Sequence, residues 1–296
     1  MKIMVCLKEV VDTALALDFG LGNRAVFREG VPMRLNPHDA AALKTALDLK
    51  TADNGITVEI TIVSIGRERV ASYLRNGLAL GADRALRIWD EDLEGASPCI
   101  KAKLLAGAAS LYGADLVFTG ARSLDTASGQ VGLLVAARLG WPGVSEATVL
   151  EPDGEPGGIV VTRDIGRGAR EKVLCPLPAV IAFKGEGKLP YASLDRLVES
   201  RYREITALSP ADLGISPAEL KDDPTRVTGL VYPRPRPRKT PPLDSSLPAF
   251  DRILQLLEGG ISRRRGRMLK GSSEEMAEGL FELLKESGVI KPAAGR

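Results

Sequence analysis

Histidine occurs once in this chain of 296 residues, at His38, and cysteine three times, at Cys6, Cys99 and Cys175, with no Cys-x-x-Cys pair. No zinc or iron–sulfur ligand set follows from such spacings, so no metal site is expected, and an odd, scattered set of thiols suits a reducing compartment. Aromatic residues are scarce, with six Phe, five Tyr and two Trp, too few for the stacking platforms of a single-strand nucleic-acid binder. Basic and acidic residues nearly cancel, 40 against 38, which removes the charge excess that nucleic acid selects. No apolar run approaches the roughly 18 residues of a spanning helix, and the opening Met1-Lys2-Ile3-Met4-Val5-Cys6-Leu7-Lys8 is charged too early for a signal peptide. The expectation is a cytoplasmic protein without a membrane span. Two enzyme loops are also missing: no Gly-x-x-x-x-Gly-Lys-Ser/Thr run is present, and no Ser-Gly-Gly loop follows the first apolar run, as an ATP-pyrophosphatase would need.

What is present is a βαβ rhythm. Apolar runs at 2–7, 57–64, 85–88 and 116–119 are bounded by turn residues and separated by segments with helical spacing. The first crossover follows Asn36-Pro37-His38-Asp39, where Asn36 or Asp39 can cap a helix carrying Ala41, Leu43, Leu47 and Leu49. The second runs from Arg67 to Leu80, gathers Val70, Leu74, Leu78 and Ala79 on one side, and stops at Gly81. Such a pattern predicts an α/β fold with a parallel sheet covered on both faces, and ligands beyond the carboxyl ends of the strands near a switch in strand order.

One loop lies at such an end. The run Leu116-Val117-Phe118-Thr119 leads through Gly120, Ala121, Arg122, Ser123, Leu124, Asp125, Thr126, Ala127, Ser128, Gly129 and Gln130 into a helix opening near Val131. Free amides and the partial positive charge of a helix start can hold a phosphate, and small or hydroxylated residues let the backbone come close. An ordinary capped turn would show the same pattern, and Asp125 reads as a cap or ribose contact rather than a metal ligand. Cys6 reads as a small packing residue at a strand end, and His38 as a surface or ribose-contacting residue rather than an acid or base.

After Trp141-Pro142 short β-rich runs (147–150, 159–163, 172–175 and 179–183) predict a mixed or antiparallel extension of the sheet. The stretch from Tyr232 to Pro248 is rich in proline and reads as a linker or arm, followed by helical segments at 249–257 and 274–286. The second is opened by Ser272-Ser273-Glu274-Glu275 as a capping box and closed by Gly288, and its stripe of Met276, Leu280, Leu283 and Leu284 needs a covering surface. The Arg263–Arg267 tract reads as a solvated connector or a contact with an acidic partner.

Taken in order, these segments resemble the β subunit of electron-transfer flavoproteins over about residues 1–214. The likeness rests on Val5-Cys6-Leu7-Lys8 with Asp12, on Asn36-Pro37-His38-Asp39, and on Leu74-Arg75-Asn76-Gly77-Leu78-Ala79-Leu80-Gly81-Ala82-Asp83-Arg84. It continues through Gly120 to Gly132, Gly140-Trp141-Pro142, Leu177-Pro178-Ala179-Val180-Ile181 and Tyr191-Ala192-Ser193-Leu194. The chain departs from the family pattern at Thr126-Ala127-Ser128, at Gly166-Arg167-Gly168 and at Glu199-Ser200-Arg201-Tyr202-Arg203.

The resemblance implies a Rossmann-like nucleotide-binding domain of the adenine nucleotide α-hydrolase-like kind over 1–214, with a C-terminal extended arm over 215–296. It implies a heterodimer with an α subunit, an FAD shared with that subunit, and AMP or a second FAD in the β site. Carried over residue by residue, the adenine and ribose side falls on Cys6, Asn36, Pro37, His38, Asp39 and Ile65. The phosphate side falls on Gly120, Arg122, Ser123, Leu124, Asp125, Thr126, Ser128, Gly129, Gln130 and Val131. Tyr191 and Leu194 would recognise a redox partner such as a dehydrogenase. The implied function is electron transfer without bond chemistry by this chain, extending to flavin-based bifurcation. The competing expectation is a nucleotide-sensing homo-oligomer that uses the same loop.

Overall fold

A computed structural model describes residues 1–14, 31–52, 55, 57–152, 158–225, 246–257, 269–286 and 289. The chain forms two compact units, Met1–Tyr232 and Pro233–Arg296. In the first, β1 (Lys2–Cys6) is followed by the short antiparallel pair β2 (Glu9–Val11) and β3 (Met33–Leu35), then by α1 (Pro37–Thr51), β4 (Glu59–Ile65), α2 (Ala71–Leu80) and β5 (Arg84–Ile88). The chain continues through α3 (Pro98–Tyr112), β6 (Leu116–Gly120), α4 (Val131–Leu139), β7 (Gly143–Pro152), β8 (Gly158–Gly166), β9 (Ala169–Pro176) and β10 (Ala179–Phe183). It closes with α5 (Leu194–Ser200), β11 (Thr206–Leu208) and the short α6 (Pro217–Lys221).

Among the described residues nine strands form one sheet, in the order β11-β5-β4-β1-β6-β10-β7-β8-β9. It is parallel from β11 to β7, and β8 and β9 extend it antiparallel. The family fold expected from the sequence is therefore present, an α/β domain with a largely parallel sheet. Within the β-rich region the run at 179–183 behaves differently from its neighbours. As β10 it returns to the middle of the sheet between β6 and β7, where its five residues are all buried.

Both faces of the parallel strands are apolar because both are covered. Ile3, Val5, Ile60, Ile62 and Phe118 pack with Leu43, Leu47, Leu74 and Leu78 of α1 and α2, while Met4, Cys6, Val63 and Val117 pack with Leu104, Ala108 and Val135 of α3 and α4. Burying a side chain of this size contributes about 1.5–3 kcal/mol, so alternate residues of β1 tie the two layers together. The helix ends follow the sequence: Ser97 caps α3 by accepting from the amides of Cys99 and Ile100, with Pro98 in its first turn, and left-handed Gly113 ends it. Val70 lies in a 3-10 turn (Glu68–Val70) ahead of α2 rather than inside the helix, yet is buried with Leu74 and Leu78 as its spacing requires. Ile215 is also buried against the α3 and α4 layer, so the chain keeps packing on the domain into α6.

Strand order places the switch point. From β1 the chain builds outward on one side through β4 and β5, then crosses back through α3 to β6 on the other side of β1. The crevice at the carboxyl ends of β1 and β6 is the position where doubly wound sheets take ligands.

In the second unit, α7 (Ala249–Leu257) and α8 (Ser273–Glu286) are the described helices. The α8 capping box is made by Ser272 and Glu275: the Glu275 carboxylate accepts from the Ser272 amide at 2.8 Å, and the Ser272 hydroxyl accepts from the Glu275 amide at 3.3 Å. Most of the Tyr232–Pro248 stretch, the Arg263–Arg267 tract and Gly288 lie outside the described residues.

Candidate functional site

The loop from Ala121 to Gln130 begins where β6 ends and feeds α4 at Val131. Its Arg122, Leu124, Thr126, Ala127, Ser128, Gly129 and Gln130 are exposed, while Ser123 and Asp125 are half-buried. Gln130 stands at the N-cap of α4 and its side chain does not cap the helix, so no side chain of the cap residue covers the first-turn amides. Gly129 takes a left-handed φ of 63°, the conformation that lets the chain turn into the helix. Beneath that turn the buried Thr119 hydroxyl has no hydrogen-bond partner among the described residues, and a Cβ on Gly132 would fall 2.6 Å from it, so glycine lets the start of α4 sit on β6.

Lys8, two residues past β1, holds the loop. Its ammonium donates to Asp125 Oδ1 at 2.7 Å, to Ser123 Oγ at 3.2 Å and to Thr126 Oγ1 at 3.5 Å. Asp125 also accepts from the Thr126 amide at 2.7 Å. Burial would raise the Asp125 carboxyl, but the bonds from Lys8 and Ser123 and the lysine's charge outweigh it and hold the group below its ordinary value. Asp125 therefore does not cap α4, which starts six residues later; it anchors the loop to β1.

The start of α1 forms the other wall. Asn36 occupies the N-cap position, yet its side chain makes no cap. It is 1% exposed and faces the loop, donating to Arg122 O at 3.0 Å and to Asp39 Oδ1 at 2.9 Å while accepting from the Leu124 amide at 3.3 Å. Asp39 accepts from the amides of Lys8 (2.7 Å) and Gly120 (3.0 Å). The capping role open to either residue in the sequence is thus replaced by a bridge across the crevice. Half-buried His38 accepts through Nδ1 from the Gly185 amide at 3.0 Å. Burial, and then the nearby Arg122 charge, lower its pKa, so it is neutral at pH 7 with its proton on Nε2. Burial and the Asp39 charge push the Cys6 thiol far up, which rules it out as a thiolate nucleophile.

The structure thus draws Cys6, Asn36, Pro37, His38, Asp39 and the 120–131 loop together at the carboxyl ends of β1 and β6, with Ile65 at the same edge, where β4 ends beside β1. Tyr191 and Leu194 are the partner-recognition residues expected from the sequence. Both are highly exposed, Leu194 opens α5, and α5 packs on α2. Arg75 of α2 fastens that helix by donating to the carbonyls of Ser200 (3.1 Å) and Arg201 (2.9 Å).

Two features of the site escape a reading for phosphate loops. Lys8 belongs to the quoted first-strand motif, and a lysine just past the carboxyl end of a central strand is the available signal. Gly185 and Gly187 carry the chain after β10 across the start of α1. Gly187 donates to Pro37 O at 3.3 Å, and any side chain there would strike the backbone of Ala40 and Ala41.

A family model described as electron transfer flavoprotein domain matches residues 24–194. The chain is 34% identical over 221 residues to the electron transfer flavoprotein subunit beta of Methylophilus methylotrophus, covering 73% of this chain and 82% of that protein. It is 32% identical over 238 residues to the mitochondrial subunit beta of Arabidopsis thaliana, covering 78% of this chain and 93% of the relative. The caffeyl-CoA reductase-Etf complex subunit CarD of Acetobacterium woodii is 33% identical over 232 residues, covering 77% of this chain and 86% of that subunit.

Proposed function

The chain belongs to the electron transfer flavoprotein family, on the side of its β subunits, and from that premise we propose that it is the nucleotide-holding half of a heterodimeric electron carrier. Its partner is an α subunit that holds most of a shared FAD. The crevice between β1 and β6 binds the adenosine and phosphate of AMP or of a second FAD. The observation that carries this reading is the exposed 120–130 loop entering an α4 whose cap residue leaves the first turn uncovered, at the switch point of a parallel sheet.

The residues present fit such a group. First-turn amides of α4 and the Ser123, Thr126 and Ser128 hydroxyls suit a phosphate, and Gly120 and Gly129 allow close approach. Cys6, Asn36, Pro37, His38, Asp39 and Ile65 line the adenosine side, and Arg122, Leu124, Asp125, Gln130 and Val131 complete the phosphate side. A bound flavin supplies the redox chemistry, while the chain orients it, excludes water and sets its electrostatics. A second flavin in this site would extend the activity to bifurcation, the direction favoured by the Asn-Pro-x-Asp and Thr-Ala-x-Gly-Gln-Val elements. Tyr191 and Leu194, both highly exposed, are the contacts for a dehydrogenase or other redox partner.

Produced alone, the full chain is expected to carry little flavin and to self-associate, because an obligate interface leaves apolar surface uncovered. Flavin absorbance and size-exclusion chromatography read this directly. A soluble monomer with stoichiometric FAD contradicts it.

A further inference from the structure

Ladder pairing between β1 and β6 stops at Val5 opposite Phe118. Just past that point a carboxylate stands between the two backbones. Asp39 Oδ2 accepts from the Lys8 amide at 2.7 Å, and its Oδ1 accepts from the Gly120 amide at 3.0 Å. The third bond, from Asn36 Nδ2 at 2.9 Å, joins Asp39 to the side chain that holds Arg122 O and the Leu124 amide. Asp39 is 5% exposed, and a Cβ on Gly120 would run into its Oδ1.

We propose that ionised Asp39 is the strut that sets the width of the β1–β6 crevice and, through Asn36, the pose of the 122–124 backbone, so that a proton on Asp39 releases the site and nucleotide affinity becomes proton-linked. This rests on the nucleotide reading of the crevice given above.

All three hydrogen bonds are donated to Asp39. A carboxylate accepts them all; a neutral acid presents a hydroxyl to at least one N–H and loses that bond. The charged and titratable groups around it are few. From β1 and its end come the Cys6 thiol, held neutral, and the Lys8 ammonium, which is spent on Asp125. From the loop come Arg122 and Asp125, and from α1 the neutral His38. Burial therefore dominates and is only partly offset by the bonds from Asn36, Lys8 and Gly120 and by the Lys8 charge, which leaves the Asp39 carboxyl at about 7.

The test uses the αβ complex freed of its β-site nucleotide and AMP as the probe, titrated by calorimetry between pH 6 and pH 8. Comparing the complex with its Asp39→Asn variant at each pH cancels the ionisation of AMP itself. The wild-type advantage over the variant should shrink about tenfold from pH 8 to pH 6, the change in ionised fraction for a group titrating near 7. An advantage constant with pH means a structural role alone and overturns the proposal. One that grows toward pH 6 means that the carboxylate repels the phosphate, which also overturns it. If the variant does not fold, wild-type affinity for ADP-ribose, whose pyrophosphate diester keeps its charge over this range, must fall about tenfold; a flat profile overturns the proposal. Failure of both AMP and ADP-ribose to bind at pH 8 instead removes the nucleotide reading, and the strut with it.

Discussion

At the scale of single residues, the candidate site is an arrangement of opposite charges held at unequal depths. Lys8 and Asp125 are 34% and 13% exposed at their side chains, so their attraction is less screened than that of a surface pair, and it is reinforced by Ser123 and Thr126. Replacing Lys8 with Met removes the side-chain tie to Asp125, Ser123 and Thr126 and leaves the middle of the loop held through Asn36. The expected outcome is AMP binding weakened by roughly tenfold or more and a stability loss of about 1 kcal/mol at pH 7. The pH sign follows from Asp125. Its folded carboxyl lies below the unfolded value near 3.8, so the pair's contribution is fully present above about pH 4 and is lost as pH falls through the lowered pKa. Denaturant titration of both proteins at pH 7 and pH 3 checks this: their difference should shrink at pH 3, and equal stability at pH 7 would show the pair to be neutral.

At the scale of elements, what the sequence made legible was what periodicity and turn chemistry encode. The four parallel runs appear within two residues of their predicted edges, and the helices after Asn36 and before Gly81 bury Leu43, Leu47, Leu74 and Leu78 as their spacing required. The place of β10 was not legible, because insertion between β6 and β7 is a tertiary choice and a run of five apolar residues reads the same at an edge or in the middle. Asn36 and Asp39 were misread for a related reason. Local rules make them helix caps, but their partners, Gly120, Arg122 and Leu124, lie more than 80 residues away. The second unit yields the element-scale prediction. Phe250 and Ile253 of α7 and Leu280 and Phe281 of α8 are exposed, which suits an arm laid on the α subunit. Deleting Pro233–Arg296 should weaken αβ association by roughly tenfold or more, because interface burial contributes about 25 cal/mol per Å² before association costs, while the melting temperature of the remaining unit changes little. Equal affinity of the truncated and full chains, measured by analytical ultracentrifugation, would free the arm for another role.

At the scale of the whole molecule, the sheet topology brings distant segments together at its switch point. Strand order sets a switch point beside β1, and the residues proposed for a site there come from β1, the start of α1, the end of β4 and the loop after β6, four segments spread over more than 120 positions. Motif order along the chain singled out these segments as an expectation, while the bonding between them emerged only when they were brought together, since Lys8, Asn36 and Asp39 touch the loop through tertiary contacts. On the proposed reading, this chain adds an adenosine phosphate site of its own to a flavin-carrying heterodimer. The most direct measurement is the adenosine content of the purified αβ complex after acid extraction, resolved into AMP and FAD by chromatography. Two adenosine-containing molecules per heterodimer are expected, either one FAD with one AMP or two FAD, falling to one FAD when Gly129 is replaced by Val. A wild-type complex that holds a single FAD and no other adenosine nucleotide would contradict it.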